Sequence, residues 1–197
     1  MNYTKSQIIA NGVIAPVSAA GTVCLFSNAA TDVVVDLAGW FPGQSFTGAT
    51  PKRLVDTRDG TGGRTGAITS SDELSIQIHN ITLNVGGEDQ QVPTTATAAA
   101  LNVTIVNPAG SGFATVWPCG VSRPLASNLN FVAGQVVANN VVAPIGNDGS
   151  VCLFSNISVD VVVDIAGWFS SDASGDFIGT TPERFIDTRD GTGPGPQ

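Results

Sequence analysis

The stretch Asp160-Val-Val-Val-Asp164-Ile-Ala-Gly-Trp168-Phe169 has a near-identical twin, because residues 32–41 read Asp-Val-Val-Val-Asp-Leu-Ala-Gly-Trp-Phe. We name these two stretches the valine phrases. The similarity extends backwards from them, and 22 of 35 positions are identical between residues 7–41 (the first copy) and residues 135–169 (the second copy). Chance does not produce identity at this level, so the sequence predicts a tandem array of similar units.

A second phrase follows each valine phrase, and we name it the arginine phrase. It reads Pro51-Lys-Arg-Leu-Val-Asp-Thr-Arg-Asp-Gly-Thr-Gly and returns from Pro182 as Pro-Glu-Arg-Phe-Ile-Asp-Thr-Arg-Asp-Gly-Thr-Gly. We expect the chain to be a segment of a longer polypeptide, since Asn2-Tyr3 aligns with Asn130-Phe131. The expected organisation is the C-terminal half of a first unit in residues 1–50, a complete unit in residues 51–181 and the start of a third unit in residues 182–197.

The hydrophobic pattern predicts strands. In the first valine phrase, one face of a strand carries a set of apolar side chains that we expect to enter the core: Val33, Val35, Leu37 and Phe41. We predict strands over the whole first copy, at residues 8–17, 22–27 and 31–41. Turns rich in Gly separate such runs throughout the chain, and no segment of useful length has a helical period. The sequence therefore predicts an all-β fold, an antiparallel β-sandwich that is Ig-like or jelly-roll-like.

The charge balance argues against two classes of partner. The net charge is −8, and only two of the eight basic residues are Lys. Attraction to nucleic acid or to an anionic membrane surface is therefore not expected. No apolar run approaches the 18 or so residues of a membrane-spanning helix, so membrane insertion is not expected either.

The three cysteines take their meaning from the repeat. Cys24 and Cys152 are equivalent positions, whereas Cys119 lies in the part of the chain that occurs once. We predict a disulfide between Cys119 and Cys152, which leaves Cys24 free; the competing pairing is Cys24 with Cys119. A disulfide implies an oxidising, extracellular compartment.

Catalytic groups are scarce. The chain has one histidine, His79, on the predicted solvent face of a strand, and no serine or cysteine nucleophile can be paired with a second histidine. The chain carries no glycine-rich phosphate loop and no His/Cys set with metal-ligand spacing. We therefore predict that the protein is not an enzyme and has no cofactor and no metal site.

The charged residues of the two phrases suggest a structural role. Asp56, Asp59 and Gly60 superficially resemble a calcium loop, but an Arg lies between the acids and no acidic residue closes the loop within twelve positions. We instead predict ion pairs in which Arg58 or Arg189 holds a carboxylate with both of its donor edges. The predicted carboxylate partners are Asp36 and Asp164.

The tryptophans of the valine phrases offer an alternative. Flat aromatic rings bind the apolar faces of sugars, so Trp40 and Trp168 are the candidate binding residues of a carbohydrate-binding module. Their position directly after a core strand also fits packing at the edge of the core. The alternative requires that one of these rings lies exposed on a flat surface.

With both phrases considered, the chain resembles repeat regions of large, secreted, cell-wall-associated proteins of bacteria. The resemblance rests on the Val-Val-Val-Asp-x-Ala-Gly-Trp-Phe stretches at 33–41 and 161–169, and on the Pro-x-Arg-x-x-Asp-Thr-Arg stretches at 51–58 and 182–189. It implies a protein of the cell surface, and it implies no ligand and no catalytic residue.

Together these features predict a non-catalytic extracellular module that acts as a spacer, adhesive or assembly unit. Its expected partners are neighbouring repeat units or identical chains, with cell-wall glycan as the further possibility. Strands donated between chains would give head-to-tail filaments.

Overall fold

The computed structural model describes residues 11–33, 35–37, 39–41, 45–170 and 181. The described residues contain ten strands and no helix. The strands are β1 (Phe46–Asp56), β2 (Leu74–Gln77), β3 (Thr82–Val85), β4 (Glu88–Gln91), β5 (Ala96–Val106), β6 (Gly112–Pro118), β7 (Leu129–Phe131), β8 (Val137–Pro144), β9 (Ser150–Ser155) and β10 (Asp160–Ser170).

Eight of these strands form an antiparallel sandwich. One sheet has the order β1-β10-β5-β8 and the other has the order β2-β9-β6-β7, while β3 and β4 form a separate hairpin. With that hairpin set aside, this is the strand order of a jelly roll, in which the first and last strands are neighbours. The prediction of an all-β antiparallel sandwich is confirmed.

The core lies between the two sheets and follows the expected alternation. Val161, Val163 and Ile165 of β10 are fully buried and point into it, next to alternate residues of β5. The opposite sheet contributes Val151 and Leu153 of β9. Burial of each such side chain stabilises the fold by about 1.5–3 kcal/mol relative to an exposed position.

A β-bulge reverses the alternation near the end of β10. The pairing of β10 with β5 shifts by one residue between Ile165 and Gly167. Because such a shift exchanges the two faces of a strand, Trp168 joins the central core, whereas Phe169 packs outside it against the ring of Phe46 at 4.9 Å. Period two alone had placed the phenylalanine of the valine phrase inward and its tryptophan outward.

Strands predicted in the first copy are not observed in its described residues. Residues 11–33, 35–37 and 39–41 contain no strand, although the equivalent residues of the second copy form β8, β9 and β10. The physical reason is occupancy, because the second copy already fills the three places in the sandwich that these sequences fit. Predicted strands before residue 11 lie outside the described residues.

The chain enters and leaves the sandwich at the same end. β1 begins at Phe46, β10 ends at Ser170, and Phe46 lies directly opposite Phe169 in the ladder between these strands. The end of the first copy lies here as well, since the ring of Phe41 is 5.7 Å from that of Phe46 and 5.4 Å from that of Phe169.

Candidate functional site

The two repeated phrases meet in the strand pair that closes the sandwich. β1 contains residues 51–56 of the first arginine phrase, and β10 is the second valine phrase. These strands run antiparallel from Phe46 opposite Phe169 to Asp56 opposite Val162. We name this pair and the polar contacts around it the closing ladder.

Asp56 is the buried charge of the closing ladder. Its residue surface is 1% exposed. One carboxylate oxygen accepts from the backbone N–H of Arg58 at 3.1 Å and from Arg58 Nε at 2.8 Å, and the other accepts from Arg58 Nη2 at 2.6 Å and Arg53 Nη1 at 3.1 Å. Four donors from two arginines therefore compensate the burial of one carboxylate.

Thr57, which directly follows β1, forms hydrogen bonds with the first residues of β10. It is fully buried, and its hydroxyl donates to Asp160 Oδ1 at 3.1 Å and accepts from the backbone N–H of Val161 at 3.0 Å. The second oxygen of Asp160 accepts from Asn107 Nδ2 at 3.1 Å. The first aspartate of the valine phrase thus binds the threonine of the arginine phrase.

The second aspartate of the valine phrase binds an arginine, but not the predicted one. Asp164 lies opposite Arg53 in the ladder and accepts from Arg53 Nε at 3.0 Å. The proposed pairing of Arg58 with Asp36 or Asp164 is corrected, because Arg58 folds back onto Asp56, two residues earlier, and Asp36 is exposed. Arg189 lies outside the described residues, so its pairing stays a prediction.

Gly167 shows why the valine phrase needs a glycine before its tryptophan. Its φ is +153°, and a Cβ at this position would lie 2.6 Å from the ring of Phe46 and would collide with the backbone oxygen of Thr47. Glycine therefore lets β1 approach β10 closely at the bulge.

Acid should weaken the closing ladder. The side-chain hydrogen bonds from Arg58 are the largest cause that lowers the pKa of Asp56 to about 2. A carboxyl whose pKa is depressed on folding contributes stability above its unfolded pKa, so this contribution is intact above about pH 4 and is lost as the pH falls to about 2. We expect a loss of about 2 kcal/mol in the free energy of unfolding over this window, measured by urea denaturation at each pH.

The variant Asp56→Asn provides the control for this acid response. It should flatten the pH dependence, although Asp72 will retain a smaller response in the same direction because hydrogen bonds from Thr69 lower the pKa of Asp72. An acid response of unchanged size in Asp56→Asn would contradict the assignment.

The disulfide lies on the outer face of the second sheet. Cys119, which directly follows β6, is bonded to Cys152 of β9, with their Cα atoms 5.0 Å apart. The prediction of this pairing is confirmed, and Cys24 is a free, exposed thiol. Trp117 and Phe154 pack around the disulfide, and the guanidinium of Arg123 lies 3.6 Å above the Phe154 ring. The disulfide is consistent with an extracellular protein.

The two candidate sugar-binding tryptophans have opposite environments. Trp168 is 3% exposed and belongs to the core, so it cannot stack on a sugar, and this part of the prediction was wrong. Trp40 is 79% exposed. His79 is half-buried rather than exposed, and its Nε2 lies 2.9 Å from the backbone oxygen of Ala96.

Other features of the described residues offer little for chemistry. No three His, Cys, Asp or Glu side chains in that part of the chain converge to hold a metal ion. Those residues also include no helix of the length and apolar character needed to cross a membrane. A shallow, open groove between β1 and the β3–β4 hairpin is lined by Thr50, Pro51, Lys52, Arg53, Thr82, Asn84 and Asp89.

Comparison with known proteins identifies no relative, so the closing ladder and the repeat are the features that bear on function. A scan against models of protein families gives no match. A search of curated proteins gives no match either.

Proposed function

We propose that the chain is a non-catalytic, extracellular assembly module of a bacterial cell-surface protein, in which copies of one β-unit bind one another. The observation that carries the proposal is the contrast between the two copies. Nine apolar side chains of the first copy are 50–89% exposed, and their counterparts in the second copy are at most 6% exposed. The nine are Val13, Val23, Leu25, Phe26, Val33, Val35, Leu37, Trp40 and Phe41.

An apolar surface of this kind is better explained by binding to a protein partner than by exposure to water. Soluble proteins rarely leave a large apolar surface exposed unless it is an interaction site. The first copy also carries the pattern of three strands, so the partner that it fits best is the sheet edge or the core of a unit like the one described here. An identical chain or a neighbouring unit therefore explains both the composition and the exposure of the first copy.

The two ends of the sandwich lie close together, which favours assembly over the transmission of tension. A pull on Phe46 and Ser170 would load the hydrogen bonds between β1 and β10 one after another, because both residues lie at the same end of an antiparallel pair. A unit connected in this way projects sideways from the chain that carries it. Its long faces are then available to neighbouring units.

An extracellular location for this module is supported by the Cys119–Cys152 disulfide. The resemblance of both phrases to repeats of cell-wall-associated bacterial proteins points to the same location. In this proposal the two phrases have a structural role, because their polar side chains form the contacts of the closing ladder. These side chains are Arg53, Asp56, Thr57, Asp160 and Asp164.

Self-association is the test of this function. We expect size-exclusion chromatography with light scattering to report oligomers whose mass rises with protein concentration. Phe26→Asp, which places a charge in the exposed apolar surface of the first copy, should shift the distribution towards monomer. Val121→Asp is the matched control, because Val121 is an exposed valine outside the first copy and should leave the masses unchanged. A strict monomer at high concentration would contradict the proposed self-association.

A further inference from the structure

We propose that the first copy can close the same sandwich in place of the second copy, within one chain, by a strand exchange that also moves the disulfide from Cys152 to Cys24. The sandwich of residues 46–131 would then be completed by residues up to 41 instead of by β8, β9 and β10. This inference does not depend on the assembly function, because it concerns the fold of a single chain.

The side chains required in the core are present twice. The counterparts of Val151, Leu153, Val161 and Val163 in the first copy are identical residues, and Ile165 is matched by Leu37. All five second-copy side chains are fully buried, whereas those of the first copy are at least half exposed. The first copy can therefore supply the same buried surface without a change of residue type at four of these five positions.

The connection to β1 is the right length for the exchange. In the sandwich, Phe46 lies opposite Phe169, whose counterpart in the first copy is Phe41. Four residues separate Phe41 from Phe46, and four-residue loops are common in β-hairpins. The ring of Phe41 already contacts both Phe46 and Phe169, so the first copy ends beside the place that it would take.

The exchange is equivalent to a circular permutation of the sandwich. Permutation is tolerated where the ends of a domain lie close together, as the start of β1 and the end of β10 do here. The short connection also favours exchange within one chain over exchange between chains, because it holds the first copy at a high effective concentration.

The second copy fits better, which explains why it is the one observed in place. Val159 is fully buried, and the equivalent Thr31 would bring a hydroxyl into the core. Asp148 Oδ1 accepts from the backbone N–H of Ser150 at 3.0 Å, whereas the equivalent Ala20 cannot. The preference rests on a few side chains, so one disruptive substitution in the second copy should reverse it.

The chemistry of the disulfide balances without an oxidant. The Cys24 thiolate attacks Sγ of Cys119, a Cys24–Cys119 bond forms, and the Cys119–Cys152 bond breaks. Cys152 leaves as a thiolate and takes up the proton that Cys24 lost. The covalent pairing of Cys119 therefore records which copy occupies the sandwich.

A pair of equivalent substitutions tests the exchange in the full-length chain. Val163→Asp places a carboxylate in the core through the second copy, and Val35→Asp makes the same change at the equivalent exposed position of the first copy. Each variant and the double variant are refolded from the reduced state in a glutathione buffer at low micromolar concentration. Thermal unfolding, disulfide mapping and light scattering are then compared with those of the wild type.

The exchange predicts a conditional pattern. Val163→Asp alone should unfold cooperatively with a Cys24–Cys119 disulfide formed within one chain, and amide protection should move from residues 151–165 to residues 23–37. Val35→Asp alone should keep the thermal stability of the wild type and the Cys119–Cys152 disulfide. The double variant should lose cooperative unfolding, since neither copy can then fill the core.

Three results would overturn the proposal. The first is a Val163→Asp variant as disordered as the double variant, or one that keeps the Cys119–Cys152 disulfide. The second is a double variant that folds as well as Val163→Asp, because rescue would then not come from the first copy. The third is a Cys24–Cys119 disulfide that forms only between chains, which would place the exchange between molecules.

Discussion

Replacing both Arg53 and Arg58 by Gln is expected to lower the free energy of unfolding by about 3–5 kcal/mol, the usual cost of leaving a buried charge without its partners. Among the residues that the structure describes, these arginines supply all the side-chain donors to Asp56, which is 1% exposed. The loss is large against a typical domain stability of about 5–15 kcal/mol. Urea denaturation of the oxidised protein measures it.

Two further variants separate this effect from a general loss of charge. Arg64→Gln removes an ion pair with Asp72 in which both side chains are at least 30% exposed, so it should cost far less than the double variant. Adding Asp56→Asn to the double variant should recover part of the stability, because the buried charge is then removed together with its partners. A double variant no less stable than Arg64→Gln would show that Asp56 does not organise the closing ladder.

Replacing Cys119 by Ala is expected to cost about 3–4 kcal/mol, the loop-closure estimate for a cross-link between residues 33 apart in sequence. The disulfide joins the end of β6 to β9 beside Trp117 and Phe154, so its removal also loosens the outer face of the second sheet. Cys119 is the informative position, because it is the partner of Cys152 in the structure and of Cys24 in the exchanged form. Thermal and urea denaturation of the variant measure the loss.

Cys24→Ala is the matched control for the disulfide. Cys24 is exposed and free, so its replacement should change stability by no more than about 0.5 kcal/mol. Equal losses for Cys24→Ala and Cys119→Ala would contradict the disulfide assignment.

Sequence reasoning reached the fold class and the disulfide because both rest on local or duplicated signals. Alternating apolar runs between Gly-rich turns predicted the all-β fold, and the duplication of Cys24 as Cys152 pointed to Cys119 as the shared partner. The apolar pattern does not indicate β4, because Glu88–Gln91 is wholly polar. Its strand structure comes from pairing with β3 across the turn at Gly86-Gly87.

The predictions for Trp168 and Arg58 were wrong because the sequence pattern does not show how the strands pair or where the chain turns. Period two placed the tryptophan of the valine phrase outward, since the bulge before Trp168 is a feature of the pairing of β10 with β5 that the apolar spacing does not show. The strand period also could not show that Arg58 turns back onto Asp56, because β1 ends at Asp56 and Arg58 lies in the turn that follows. An arginine of the arginine phrase does bind the valine phrase, but that arginine is Arg53, which the ladder register places opposite Asp164.

The fate of the first copy was the least predictable feature. Its local propensities are those of the second copy, so any argument from residue type assigns strands to both. Only one set of places exists in the sandwich of residues 46–170, and the residues that favour the second copy there, such as Val159 and Asp148, make contacts that local sequence does not specify. Which copy occupies the strand positions of the sandwich is therefore decided in the folded unit and not by local sequence.

Hydrogen exchange of the wild-type chain, resolved to individual amides, tests most directly whether the arginine phrase of one copy and the valine phrase of the next form a single closing pair. Our account predicts that the ladder amides of residues 53–56 and 161–165 are both strongly protected, whereas those of residues 33 and 35–37 exchange with little protection. Little protection in either strand of the ladder, or equal protection of the two valine phrases, would contradict it.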